Sequence, residues 1–139
     1  MFAGFFYIFV LTIQLRMKRL IKSFGFAIKG IRLVFASEAN IQIHLVISAL
    51  VIICGFIFSI SITEWLLCML CMGVVIGLEM MNTAIEQLVD LVSPEKNPLA
   101  GKVKDIAAGA VLITVFFSVL IGLIIFIPKG WESLMILIA

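Results

Sequence analysis

The sequence predicts an all-α integral membrane protein, a single domain over residues 1–139 with three transmembrane helices behind an amphipathic surface helix. Of its 139 residues, 64% are hydrophobic and 13% are charged, whereas a soluble domain carries about a quarter charged residues. The mean hydropathy is +1.31. Three apolar segments are each long enough to cross a hydrocarbon core of about 30 Å, which takes about 20 helical residues.

The first predicted element is an interfacial helix over about residues 16–38. It combines many apolar residues with basic ones, which suits a helix lying among lipid headgroups. Residues 2–15, ahead of it, are almost all apolar and lack the basic front of a signal peptide. Two interpretations of this stretch stay open: a further membrane-lying segment, or an over-extended start with Met17 as the first residue.

The three apolar segments are predicted to span the membrane as helices, because backbone polar groups in lipid must be satisfied within the segment. They cover about residues 41–60, 65–92 and 106–127. The first two are joined by a short turn without basic residues. The last two are joined by a polar connection, residues 93–102, which contains two prolines.

The basic residues predict the orientation. Nine of the ten fall before the first span or between the second and third, which three spans place on one side; Lys129 falls on the other. The nine are Arg16, Lys18, Arg19, Lys22, Lys29, Arg32, Lys96, Lys102 and Lys104. Because cytoplasmic loops are enriched in basic residues, we expect a multi-pass membrane protein with its N-terminus in the cytoplasm.

Four polar residues interrupt the second apolar segment: Glu79, Asn82, Glu86 and Asp90. At about 100° per residue, the last three fall at roughly −60°, −20° and +20° from Glu79, so all four share one helix face about 16 Å long. Acids inside a membrane cost roughly 2.5–3.5 kcal/mol each, so they need a bundle interior or a watery cleft, and they need cations. A hard divalent cation such as Mg²⁺ and Lys104 are the candidate partners.

Further polar residues are predicted at the same membrane surface. Lys104 and Asp105 open the third span, where a helix start favours phosphate oxygens, and Glu38 ends the interfacial segment. These parts suit phosphoryl transfer to a lipid alcohol at the cytoplasmic surface. From residues alone, a proton or ion pathway explains the acids equally well. No Walker A or protein-kinase motif is present.

Two other features favour structural interpretations. Cys68 and Cys71 form a C-x-x-C pair, but no second pair lies nearby, so packing between helices is favoured over metal or redox chemistry. His44, near the start of the first span, is expected to be a hydrogen-bonded interfacial residue, with a role near phosphates or substrate left open.

Two motifs resemble the signature of the prokaryotic diacylglycerol kinase family. They are EMMNTAIEQLVD over residues 79–90 and KDIAAGAV over residues 104–111, within a likeness that covers about residues 19–128. The resemblance implies a homotrimeric lipid kinase with three spans and a surface helix in each subunit. It implies ATP, Mg²⁺ and a membrane lipid alcohol as ligands, and no nucleic acid partner.

The resemblance also implies roles for individual residues. Glu79 resembles the family's general base, which takes the proton of the lipid hydroxyl. Glu38 and Glu86 resemble the family's ligands of Mg²⁺. The positions expected to bind or support the nucleotide are Arg19, Phe26, Glu38, Glu79, Asn82, Glu86, Asp90, Glu95, Lys96, Asn97, Lys104 and Asp105.

Two further sequence stretches indicate which lipid alcohol accepts the phosphate. EANIQIH over residues 38–44 and IGLIIFIPK over residues 121–129 resemble the branch of the family that phosphorylates undecaprenol. Diacylglycerol is the alternative acceptor.

Overall fold

The computed structural model describes residues 2–138, except for the side chains of residues 2–10 and 137. The described residues form four helices, which confirms the predicted all-α class: α1 Phe2–Ser37, α2 Ala39–Ile57, α3 Ile62–Val92 and α4 Pro98–Ile138. Helices α2, α3 and α4 are long and apolar enough to cross a membrane. Helix α1 forms one compact unit, and α2 to α4 form another.

Helix α1 runs without interruption through both the apolar residues 2–15 and the predicted interfacial segment. Among its described side chains, Ser23 and Ser37 each donate a 3.0 Å hydrogen bond to the carbonyl oxygen four residues earlier. The Lys29 ammonium lies 5.8 Å from the centroid of the Phe26 ring. Most of these side chains are exposed, as expected for a helix that lipid and headgroups would surround.

The turn between α2 and α3 is locked by a capping box. The Ser61 hydroxyl accepts from the backbone N–H of Glu64, and the Glu64 carboxylate accepts from the Ser61 backbone N–H at 2.6 Å. These two contacts satisfy backbone donors that a helix start leaves free. Lys129 of α4 adds an ion pair with Glu64 at 3.4 Å. The turn is therefore tied to the start of α3 and, through Glu64, to α4.

The buried apolar cluster lies beside this turn. Ile60, Cys68 and Ile125 form its centre. Gly55 provides the space for it, because a Cβ there would lie 2.7 Å from Cη2 of Trp65. Most other large apolar side chains of α2 to α4 are exposed, which is what a helix bundle surrounded by lipid requires.

The helix ends differ from the apolar boundaries predicted above. Helix α3 begins at Ile62 because the capping box starts it before residue 65. Helix α4 begins at Pro98 rather than near residue 106. There Asn97 Oδ1 accepts from the Leu99 N–H at 2.9 Å, and proline suits a first helical position because the N–H it lacks would be unsatisfied anyway. Helix α4 also continues through Pro128 to Ile138.

Candidate active site

Helix α3 carries a buried polar stripe on the face turned into the bundle. Glu79, Asn82 and Thr83 are exposed by only 4%, 7% and 4%. One turn further, the Asn82 side-chain N–H donates a 3.0 Å hydrogen bond to Oε1 of Glu86. Val75 and Cys68 occupy earlier turns of the same buried face, so an apolar layer leads directly to the polar stripe.

Two side chains of this stripe, Glu79 and Asn82, have oxygen acceptors without a protein partner in the part of the chain that the structure describes. Among the described residues, Glu79 forms no hydrogen bond or ion pair, and Asn82 Oδ1 is buried without a hydrogen bond. An unsatisfied buried acceptor costs about 1–3 kcal/mol. Together with Glu86, these groups make a set of hard oxygen donors, which is the ligand type that Mg²⁺ prefers. The residues present therefore fit a divalent cation or a donating substrate hydroxyl.

A second cluster lies where α3 passes into α4. Lys104 Nζ lies 2.5 Å from Oδ1 of Asp90, and their side chains are 34% and 67% exposed. Both residues line a cavity of about 490 Å³ under the connecting loop. The same cavity is lined by three further residues expected to bind the nucleotide, which are Glu95, Lys96 and Asn97. The fold thus gathers five of the predicted positions around one opening.

The remaining predicted positions are more dispersed. Asp105 follows Lys104 on α4 and is exposed. Glu38 precedes α2 in an extended conformation, with φ −99° and ψ 115°. Arg19 and Phe26 lie on α1, in the other compact unit. In the described part of the chain, no three His, Cys, Asp or Glu side chains are grouped as a metal site, so Glu38 and Glu86 stay predicted ligands.

The cysteines and His44 lie elsewhere. Cys54, Cys68 and Cys71 are free thiols. They and His44 line an apolar groove of about 490 Å³ between α2, α3 and α4. This surrounding is consistent with the packing role favoured for the cysteines.

Sequence reasoning missed three parts of this arrangement. Thr83 is buried beside Asn82, and its position next to Asn82 on α3 was the available signal. The sequence predicts Lys104 as a cation partner for the acids of α3, but which acid it pairs with depends on how the connecting loop places α4. The Ser61–Glu64 capping box was visible as a serine followed three residues later by a glutamate.

Comparison with known proteins decides the family. Residues 25–126 match the family described as prokaryotic diacylglycerol kinase. The chain belongs to this family. An undecaprenol kinase of Bacillus subtilis is 44% identical over 113 residues, which cover 81% of this chain and 92% of that protein. A diacylglycerol kinase of Escherichia coli is 36% identical over 104 residues, covering 73% and 84%. One of Helicobacter pylori is 30% identical over 100 residues, covering 72% and 78%.

Membership in the prokaryotic diacylglycerol kinase family makes this chain a lipid kinase, a phosphotransferase of the membrane. The kinase interpretation of the chain is therefore favoured over the ion pathway left open by the sequence. The family match includes the polar stripe, the connecting loop and the start of α4.

Proposed function

We propose that the protein transfers the γ-phosphate of ATP to undecaprenol, giving undecaprenyl phosphate and ADP. The observation that carries the chemistry is Glu79, a carboxylate that is 4% exposed on a membrane helix and has no protein partner in the described residues. The choice of acceptor is supported by the undecaprenol kinase of Bacillus subtilis, with 44% identity.

Glu79 is proposed to take the proton of the lipid hydroxyl as that oxygen attacks the γ-phosphorus. A base near the acceptor oxygen typically contributes 10²–10⁴-fold in rate. The apolar layer below Glu79 suits a hydroxyl that arrives on a hydrocarbon chain.

Charge neutralisation is assigned to residues around the α3–α4 end. Lys104 is proposed to contact the ATP phosphates, with Asp105, Glu95, Lys96 and Asn97 nearby. Glu86, held by Asn82 at 3.0 Å, and Glu38 are proposed to hold Mg²⁺. When bound, Mg²⁺ would neutralise phosphate charge and fix the orientation of the phosphate chain. Arg19 and Phe26 of α1 are proposed as further nucleotide contacts.

The reaction is proposed to occur at the cytoplasmic face of the bacterial cell membrane, with homotrimeric assembly. The asymmetric distribution of basic residues supports the orientation, and ATP is cytoplasmic. The homotrimer rests on the motif resemblance.

The direct test uses purified protein in micelles with Mg-ATP. Undecaprenol and a diacylglycerol are offered side by side at matched mole fraction, and phosphorylated lipid is measured. We expect faster phosphorylation of undecaprenol. Faster turnover of diacylglycerol would show that diacylglycerol, and not undecaprenol, is the preferred acceptor. Absence of lipid-dependent ADP release with both lipids would contradict the kinase chemistry. The diacylglycerol alternative is supported by the Escherichia coli and Helicobacter pylori relatives.

A further inference from the structure

The ion pair between Asp90 and Lys104 joins the last turn of α3 to the second turn of α4. Its two residues are 14 positions apart, and its atoms are 2.5 Å apart. Both side chains line the cavity under the connecting loop, together with Lys96. Among the described residues Lys96 forms no ion pair, so Lys104 is the cation of this cavity that already has an anionic partner.

The exposure of the pair sets how firmly Lys104 is held. The Asp90 side chain is 67% exposed and that of Lys104 is 34% exposed. Ion pairs accessible to water contribute less than about a fivefold change in an equilibrium constant. Asp90 can therefore keep the Lys104 ammonium at the cavity. A stronger anion can still replace Asp90 as the partner of that ammonium.

A phosphate group that contacts Lys104 competes with Asp90 for the same ammonium. ATP carries one more phosphoryl group than ADP, so it competes more strongly for Lys104 than the product does.

We infer that Asp90 is a competing counter-ion for Lys104, which yields the ammonium to ATP and reclaims it when only ADP is left. The inference rests on the proposed function, because Lys104 must contact the nucleotide phosphates. Asp90 is then a positioning residue that acts through Lys104. It holds the ammonium in place before the nucleotide binds and weakens the hold on ADP after transfer. A role as metal ligand would have the opposite sign, because loss of the carboxylate would then weaken nucleotide binding.

The test is ADP affinity, measured by calorimetry on the full chain in micelles with Mg²⁺ and without lipid acceptor. Asp90→Asn keeps the size of the side chain and removes its charge. We expect ADP to bind about threefold more tightly, with a product-inhibition constant lower by the same factor. Asp90→Glu retains a carboxylate and should stay within about twofold of the original protein. Unchanged or weaker ADP binding in Asp90→Asn would overturn the inference.

A second comparison separates competition for Lys104 from simple repulsion. In a Lys104→Met background, Asp90→Asn should leave ADP affinity unchanged, because the contested cation is gone. A threefold gain that persists there would also overturn the inference. Asp90→Ser is a second neutral variant, with the same expected gain, should Asp90→Asn fail to fold.

These results are distinguishable from failure of the proposed function. A protein that phosphorylates lipid, yet binds ADP no more tightly after Asp90→Asn, loses this inference alone. A protein that neither binds ADP nor releases it in the presence of lipid loses the kinase assignment as well.

Discussion

The Asn82 side-chain N–H donates a 3.0 Å hydrogen bond to Oε1 of Glu86, while its own Oδ1 is buried without a hydrogen bond in the described residues. The amide thus fixes one carboxylate and leaves an acceptor unused. Stability alone does not explain that arrangement, because a buried unsatisfied oxygen costs about 1–3 kcal/mol. A ligand that needs oxygen donors does explain it.

Replacement of Asn82 by leucine should separate activity from stability. The change loses a hydrogen bond worth about 0.5–1.5 kcal/mol but also removes an unsatisfied acceptor that costs about 1–3 kcal/mol. We therefore expect the melting temperature of Asn82→Leu to be unchanged or raised, while lipid phosphorylation falls at least about tenfold. Gln87→Leu, on the exposed side of the same helix, is the matched control and should keep its activity. A large drop in melting temperature would argue for a purely structural amide.

Replacement of Glu79 by glutamine should remove the proposed base and retain the shape of the side chain. We expect the rate of lipid phosphorylation to fall at least about a hundredfold, the lower range of base catalysis. Nucleotide binding, measured by calorimetry, should stay close to that of the original protein. Glu132→Gln, on the exposed last part of α4, is the control. Retained turnover in Glu79→Gln would rule out its role as base.

Replacement of Ser61 by alanine should destabilise the fold without affecting chemistry. The change removes the hydroxyl half of the capping box, which typically costs about 1 kcal/mol. The turn lies at the opposite end of α3 from the polar stripe, so the turnover number should be retained. The measurement is thermal unfolding in micelles together with the lipid kinase assay. Ser118→Ala is the control, because its hydroxyl bonds within its own helix, to the Thr114 carbonyl at 2.9 Å. Equal melting temperatures of the two variants would contradict the capping argument.

Replacement of Gly55 by alanine should disturb the packing between α2 and α3. The added Cβ would lie 2.7 Å and 2.8 Å from two ring carbons of Trp65, which is too close for unstrained contact. Overpacking of this kind costs about 1–3 kcal/mol, and the melting temperature should fall. Trp65→Phe in the same chain should restore part of the loss. Gly73→Ala, with nothing within 4 Å of its added Cβ, should be tolerated. A Gly55→Ala protein as stable as Gly73→Ala would show that the ring moves freely.

The sequence predicted the features that follow from the period of a helix and from its solvent. Apolar length indicated which segments cross the membrane. The helical repeat indicated that Glu79, Asn82 and Glu86 share a face, and the structure joins the last two by a hydrogen bond. The helix ends lie at other residues than the apolar boundaries, because hydropathy reports the thickness of the lipid layer. The backbone instead starts α3 at a capping box and α4 at Asn97 and Pro98.

By itself, then, the sequence determined the all-α membrane class and the helix that carries the acids, because both depend on properties that repeat along a single helix. Only the tertiary structure decided that Lys104 pairs with Asp90, that Lys129 pairs with Glu64, and that Glu79 is buried without a protein partner in the described residues. Each of these depends on where a loop or a neighbouring helix places a side chain. The number of residues between two positions does not determine how far apart their side chains lie in the folded protein.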